Sequence, residues 1–247
     1  MQIHKITAND GISADIATYQ LTKQRADNNF TVTDVQFNFA DPNHFAASAT
    51  NGAIVIYNLE KESNLKKQPI ISIEQTNRAV NRISWSHFDS NILASANQDS
   101  SVKLYDKRIN PDNCCLANIN PRSDACRDIQ FSPLEEHFFA GVFENGNLLV
   151  WDSRKCDNPY MKITGAHTSC CLAVSWSLCN KSLIATGGRD KNVKIWDITR
   201  SQGSYNPILN FYYFKVRYLL DFIYFQEIHM KIIQMKFMKK TDPKRVF

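Results

Sequence analysis

Four segments of this 247-residue chain end on the same kind of line, and their spacing constrains the fold more than any other feature. The lines are Ala53–Asn58, Ser101–Asp106, Asn147–Asp152 and Asn192–Asp197. Their aromatic residues, Tyr57, Tyr105, Trp151 and Trp196, are 48, 46 and 45 residues apart. Six residues before each aromatic stands a turn former: Asn51, Asp99, Asn145 or Asp190. Upstream of each turn lies an apolar stretch with small residues (Phe45–Ala49, Leu93–Ala96, Phe139–Val142, Ile184–Gly187). Earlier still comes an alternating stretch (Val35/Phe37, Ile83/Trp85, Ile129/Phe131, Val174/Trp176). Apolar residues at every second position place one face of a strand in a core. Asn51-Gly52 and Asn145-Gly146 predict two-residue hairpin turns with positive φ. Each unit therefore reads as strand, turn, strand, hairpin, strand, then a polar outer segment able to hold a fourth strand. Units of this kind at this period predict the blades of a propeller.

The fourth unit has the fullest motif: Ala166-His167, then Ile184–Asp190, then Trp196-Asp197. Here the chain resembles the WD-repeat family. The resemblance implies that His167, Thr186, Asp190 and Trp196 form a buried hydrogen-bond network. A buried carboxylate needs donors, and imidazole, hydroxyl and indole provide them. The same residues could be drawn as a Thr/His/Asp catalytic set, but their repeat-linked positions explain them without chemistry. The other units are degenerate. The second has Thr76 where His would stand and keeps Ser95, Asp99 and Tyr105; the third keeps Asn145 and Trp151 but has Gly141; the first has Ser48, Asn51 and Tyr57. Partial networks are expected there. The expected fold is all-β: a partial WD-repeat propeller of about four blades over residues 31–202, open or truncated, and marginally stable alone. Residues 1–30 would be a remnant of a preceding blade, and 203–247 an atypical C-terminal tail.

The net charge of +5 does not point to nucleic acid. Residues 205–247 hold eight Lys/Arg and three Asp/Glu, so the tail accounts for all of it and the repeats are neutral. Within the tail, Lys215, Arg217 and Asp221 interrupt the one stretch long enough to cross a membrane, so no transmembrane segment is expected. An amphipathic helix over 212–240 and a non-native sequence of A/T-rich codons stand as its two readings. No signal peptide is expected at the start. The seven cysteines include the adjacent pairs Cys114–Cys115 and Cys170–Cys171 and no C-x-x-C, which predicts reduced thiols and no metal. Gly187–Lys191 lacks the spacing of a phosphate loop, no nucleophile or H-E-x-x-H motif occurs, and His44, His87 and His137 are scattered near turns. The expectation is a protein that is no enzyme and takes no cofactor.

Within the family, Phe143–Asn147 before Val150–Asp152 and Ala185–Lys191 before Val193–Asp197 resemble the scaffold subunits of the GATOR nutrient-sensing assembly (the SEA complex of fungi). Ala49–Gly52 and Arg127–Ser132 share the likeness, which covers residues 31–200. It implies a scaffold that promotes amino-acid signalling to target-of-rapamycin complex 1. It also implies a cytoplasmic protein associated peripherally with the lysosomal or vacuolar surface, with other WD-repeat scaffold proteins as partners in a multi-subunit complex. Such subunits carry a zinc-binding RING-type module, for which no Cys/His spacing beyond residue 200 is suited. A second resemblance competes. Tyr105–Arg108 and Trp151–Arg154 look like the WD-x-Arg signature of cullin-4 ubiquitin-ligase substrate receptors, which makes Arg108 and Arg154 candidate partner-binding residues. Arg78, Arg127 and Arg189, near strand entrances and turns, are further candidate ligand contacts.

Overall fold

The computed structural model of the chain describes residues 2–5, 15–18, 30–58, 71–73, 78–199 and 206–212. A two-stranded antiparallel sheet, β1 (Gln2–Lys5) and β2 (Asp15–Thr18), precedes four sheets of one design. The first blade is β3 (Val32–Phe37), β4 (His44–Ala49), β5 (Ile54–Asn58) and β6 (Ile71–Ile73); the second is β7 (Val80–Trp85), β8 (Ile92–Asn97), β9 (Val102–Asp106) and β10 (Cys115–Ile119). The third is β11 (Cys126–Phe131), β12 (Phe138–Phe143), β13 (Leu148–Asp152) and β14 (Met161–Ile163); the fourth is β15 (Cys171–Trp176), β16 (Leu183–Gly188), β17 (Asn192–Asp197) and β18 (Leu209–Tyr212). Within each, neighbours in sequence are neighbours in the sheet, all antiparallel. β18 lies beyond residue 202, so the fourth blade extends into the segment expected to be tail. The remainder of the tail, and Thr76, lie outside the described residues.

The first strands β3, β7, β11 and β15 pack on one another in order, so these line the inside of the arc and β6, β10, β14 and β18 its outside. Each inner strand carries a bulge after its first residue (Val32/Asp34, Val80/Arg82, Cys126/Asp128, Cys171/Ala173). The core lies between the sheets. One cluster joins Ile54, Ile56 and Ile73 of the first blade to Ile83, Trp85 and Leu93 of the second. A second joins Ala94, Ala96 and Leu104 to Phe131, Phe139 and Trp151, and a third joins Val142, Leu148 and Val150 to Trp176, Ile184 and Trp196. Small residues in the second strands, such as Ala46, Ala94 and Ala140, leave room for these aromatic side chains. The sheets form an open series: Phe37 on the flank of the first blade is 46% exposed, whereas its equivalents Trp85, Phe131 and Trp176 are buried against the preceding blade.

The hairpins differ from the two-residue turns the sequence suggests. Positive φ occurs once per hairpin, at Gly52 (88°), Ser100 (73°), Gly146 (80°) and Lys191 (66°). Each closes with a bond from that residue's N–H to the carbonyl three residues back, to Ala49, Asn97, Phe143 or Gly188. This is a wider loop ending in a left-handed residue, a geometry that suits the strand twist with a single positive φ. The Asn or Asp before that residue accepts the N–H two residues on, at 3.2 Å for Asn51, 3.0 Å for Asp99, 3.3 Å for Asn145 and 3.1 Å for Asp190. A short side-chain acceptor is what this position needs, which explains the constant turn former.

Candidate functional site

Four kinds of side chain could carry function here: the polar set of the fourth blade, the polar residues between inner strands, the turn arginines and the scattered histidines. In the fourth blade the structure brings His167, Thr186, Asp190 and Trp196 together. His167 Nδ1–H donates to the Asp190 carboxylate (2.9 Å to Oδ1), and Thr186 Oγ1 lies 2.8 Å from both His167 Nε2 and Trp196 Nε1. One proton order satisfies every atom: indole N–H to hydroxyl, hydroxyl to Nε2, Nδ1–H to carboxylate. That order requires neutral imidazole, and burial lowers the His167 pKa against the opposing pull of Asp190. Burial raises the Asp190 pKa, but bonds from His167 and Asn192 outweigh it and hold the carboxyl below its ordinary value. The His167 side chain has no exposed surface and that of Asp190 only 6%, so a substrate has no approach to this set.

Space for the imidazole comes from Gly188. A Cβ there would lie 2.3 Å from His167 Nδ1 and 2.8 Å from Asp190 Oδ1. The equivalent strand-end residues of the other blades are Ala49, Asn97 and Phe143, all buried. In the third blade an aromatic side chain stands at this strand end. Phe143 stands edge-on to Trp151, at 6.2 Å between ring centroids. The Trp151 indole N–H has no partner among the described residues, because Gly141 stands where Thr186 stands in the fourth blade. Asn145 instead bonds Ser123 at 2.8 Å, so it and Trp151 are not joined. In the second blade Ser95 meets the Tyr105 hydroxyl at 3.4 Å, while Asp99 turns to Ser101. Burial raises the Tyr105 phenol pKa and brings that of Tyr57 to about 12. Ser48 of the first blade bonds Thr33 at 2.8 Å.

A second polar system was not anticipated. Asp34 Oδ2 accepts the Ile83 N–H (3.1 Å), and Gln36 accepts from Trp85 with its side-chain oxygen (3.0 Å) and its carbonyl (3.2 Å, from the indole). Asp128 and Gln130 repeat the arrangement, to Val174 (2.9 Å), Trp176 N (2.7 Å) and the Trp176 indole (3.1 Å). These staples join the first blade to the second and the third to the fourth. Between the second and third, Ser84 accepts from Phe131 N at 3.0 Å and Asn81 donates to the Cys126 carbonyl at 2.7 Å. Arg82 bonds Asp34 at 3.0 Å and lies 4.0 Å from Asp128. Burial pushes the Asp128 carboxyl up to about 7, against the bond from Val174 N–H and the Arg82 charge, which favour its ionised form. The sequence signal was the D-x-Q of Asp34–Gln36 repeated at Asp128–Gln130.

Arg108 and Arg154 share one geometry. Each guanidinium closes on the aspartate two residues earlier, Nε at 2.9 Å and a terminal nitrogen at 2.6 Å, on Asp106 and Asp152 respectively. These bonds hold both carboxyls below their ordinary pKa. In the fourth blade Thr199 caps Asp197 in the same way (2.6 Å). His44 pairs with Asp41, His87 stacks on Phe39, and His137 lies 3.8 Å from Glu136; they do not converge with each other. Arg127 pairs with Glu144 within the third blade and donates to Gln98 of the second, while Arg78 and Arg189 are exposed. Among the described residues no group of His, Cys, Asp or Glu is arranged to hold a metal, and no helix is long and apolar enough to cross a membrane.

Comparisons with known proteins agree with this geometry. The family description "WD domain, G-beta repeat" matches residues 67–106 and 158–197, ending on the aspartates after Tyr105 and Trp196. The chain is 34% identical over 174 residues to the GATOR2 complex protein WDR24 of Danio rerio, covering 70% of this chain and 22% of that protein. Against the human protein of that name the identity is 34% over 171 residues, covering 69% and 21%. Restriction of telomere capping protein 1 of Saccharomyces cerevisiae is 31% identical over 216 residues, covering 78% of this chain and 16% of that protein. The chain thus spans about a fifth of the length of these relatives. A chain of the crystal structure of the mitotic checkpoint complex superposes with a TM-score of 0.67 at 19% identity, covering 85% of this chain and 57% of that one, which shows the shared fold. With four blades on one plan, and the repeat's hydrogen-bond set complete in the last, the chain belongs to the WD-repeat proteins and is a homologue of WDR24 and its yeast counterpart.

Proposed function

We propose that this chain acts as a non-enzymatic scaffold within a multi-subunit assembly of the GATOR2 kind, supporting amino-acid signalling to target-of-rapamycin complex 1 at the lysosomal or vacuolar surface. One observation carries the proposal: the likeness to GATOR2 WDR24 runs through 70% of the chain at 34% identity. The geometry supports a scaffold, because the residues that could form a catalytic set are enclosed and bond each other. Propeller blades offer rigid turns at both ends, suited to holding partners. The test is affinity purification of the tagged chain from its own cells. Recovery of other WD-repeat subunits, together with a weakened response to amino-acid refeeding when the gene is silenced, is expected; recovery of none would overturn the proposal. The cullin-4 alternative rests on Arg108 and Arg154, whose closure on Asp106 and Asp152 is the turn cap that Thr199 also makes. Loss of a co-purifying cullin-4 adaptor on Arg154→Ala would favour that alternative.

A further inference from the structure

We propose that the end of the arc bearing the turns from first to second strand docks a partner-protein segment with a row of aliphatic or aromatic side chains flanked by Lys and Arg. The proposal rests on the scaffold reading and names a surface and a partner chemistry for it. Each blade makes this turn on a cap: Asn38, Ser86, Ser132 and Ser177 accept the N–H groups two and three residues on, at 3.0–3.4 Å. Just after each cap one large apolar side chain faces solvent: Phe39 (57% exposed), Phe88 (50%), Leu134 (42%) and Leu178 (48%). Single exposed apolar residues are ordinary on any surface, but one at the same turn of four successive blades forms a row.

The turns are joined in pairs, the first to the second and the third to the fourth. Phe39 stacks on His87 at 4.0 Å, Asn38 donates to the Ser90 carbonyl at 2.6 Å, and Lys181 pairs with Glu135 at 2.8 Å. A row whose backbone is already capped and cross-linked loses little freedom on binding, so its contact area converts well into affinity. Beside it stand four carboxylates, Asp41, Asp89, Glu135 and Glu136, against the ammonium groups of Lys107 and Lys181. The Arg108–Asp106 and Arg154–Asp152 pairs of the adjacent turns cancel. The excess negative charge attracts a basic flank and opposes an anionic lipid surface.

The probe is a synthetic amphipathic peptide with a Leu stripe flanked by Lys, titrated into the full chain, with a Glu-flanked peptide beside it. The Lys peptide is expected to bind saturably, and the Glu peptide about tenfold or more weaker. The variant Phe88→Ser/Leu134→Ser/Leu178→Ser, which spares the Phe39–His87 stack and changes only exposed side chains, should keep the urea midpoint and lose Lys-peptide affinity by a similar factor. Should it fail to fold, Phe88→Ser and Leu134→Ser singly must each weaken binding about threefold. Equal binding of the two peptides, or affinity indifferent to these substitutions, overturns the proposal. So does row-dependent binding to phosphatidylserine vesicles in place of the peptide, or row-dependent self-association in sedimentation. Peptide binding by a chain that co-purifies with no WD-repeat subunit would leave this surface standing while the scaffold reading falls.

Discussion

Gly188→Ala is the sharpest test of how the fourth blade is held. The added methyl would lie 2.3 Å from Nδ1 and 2.6 Å from Cγ of an imidazole with no exposed surface. The ring must leave, and it takes two bonds with it: the charge-assisted one to Asp190 and the neutral one to Thr186. A bond to a charged group contributes about 2 kcal/mol and a neutral one about 1 kcal/mol. The Ala side chain restricts the unfolded chain and returns about 0.5 kcal/mol. The expected loss is therefore about 2–3 kcal/mol, and with a urea slope of about 2 kcal/mol per molar the midpoint falls by more than about 1 M. The companion variant is His167→Ala, which removes the same bonds and opens the space. In that background Gly188→Ala should cost no more than about 0.5 kcal/mol, so the pair couples strongly in a double-mutant cycle. Urea titration by tryptophan fluorescence reads all four proteins. A loss below about 1 kcal/mol for Gly188→Ala alone, or simple additivity with His167→Ala, refutes the reasoning.

Gly146→Ala should be worse still, above about 3 kcal/mol, because φ is +80° and a Cβ would meet the His167 carbonyl oxygen at 2.2 Å; urea titration and faster proteolysis near residues 164–170 would show it. Asp128 has a raised pKa, so the folded state binds its proton more readily than the unfolded state, and this group's contribution falls as pH rises from about 4 to about 7. The effect is at most about 4 kcal/mol, and Asp128→Asn should remove that slope from urea midpoints measured across the range. His167, with its lowered pKa, works in the opposite sense: stability is lost as pH falls through the unfolded value near 6.5, and His167→Ala should flatten that limb of the same curve. Lys191→Gly relieves a left-handed residue at φ 66° and should raise stability by about 1 kcal/mol in thermal or urea melts.

The strands were legible because period-2 alternation and small residues follow from burial between sheets, a constraint on every blade. The staples were not. Along a strand Asp34 and Gln36 occupy the positions that alternation assigns to solvent, and only the placement of the next blade shows their oxygens facing the Ile83 and Trp85 amides. The turns misled in another way: Asn-Gly suggests two positive φ angles, yet Asp99-Ser100 and Asp190-Lys191 make the same loop without glycine, because the side-chain cap sets it. The erosion of the motif has a physical reason as well. In the fourth blade a histidine fills the pocket and requires glycine at 188; in the third, Phe143 occupies that strand position and Arg122 stands where the histidine would. The pocket can be filled by a satisfied polar network or by an apolar side chain. Each choice determines the residue at the strand end. A blade can therefore lose His, Thr and Asp together and still pack its aromatic residue. The spacing outlasts the motif because spacing is required by every junction, and the network by only one kind of filling.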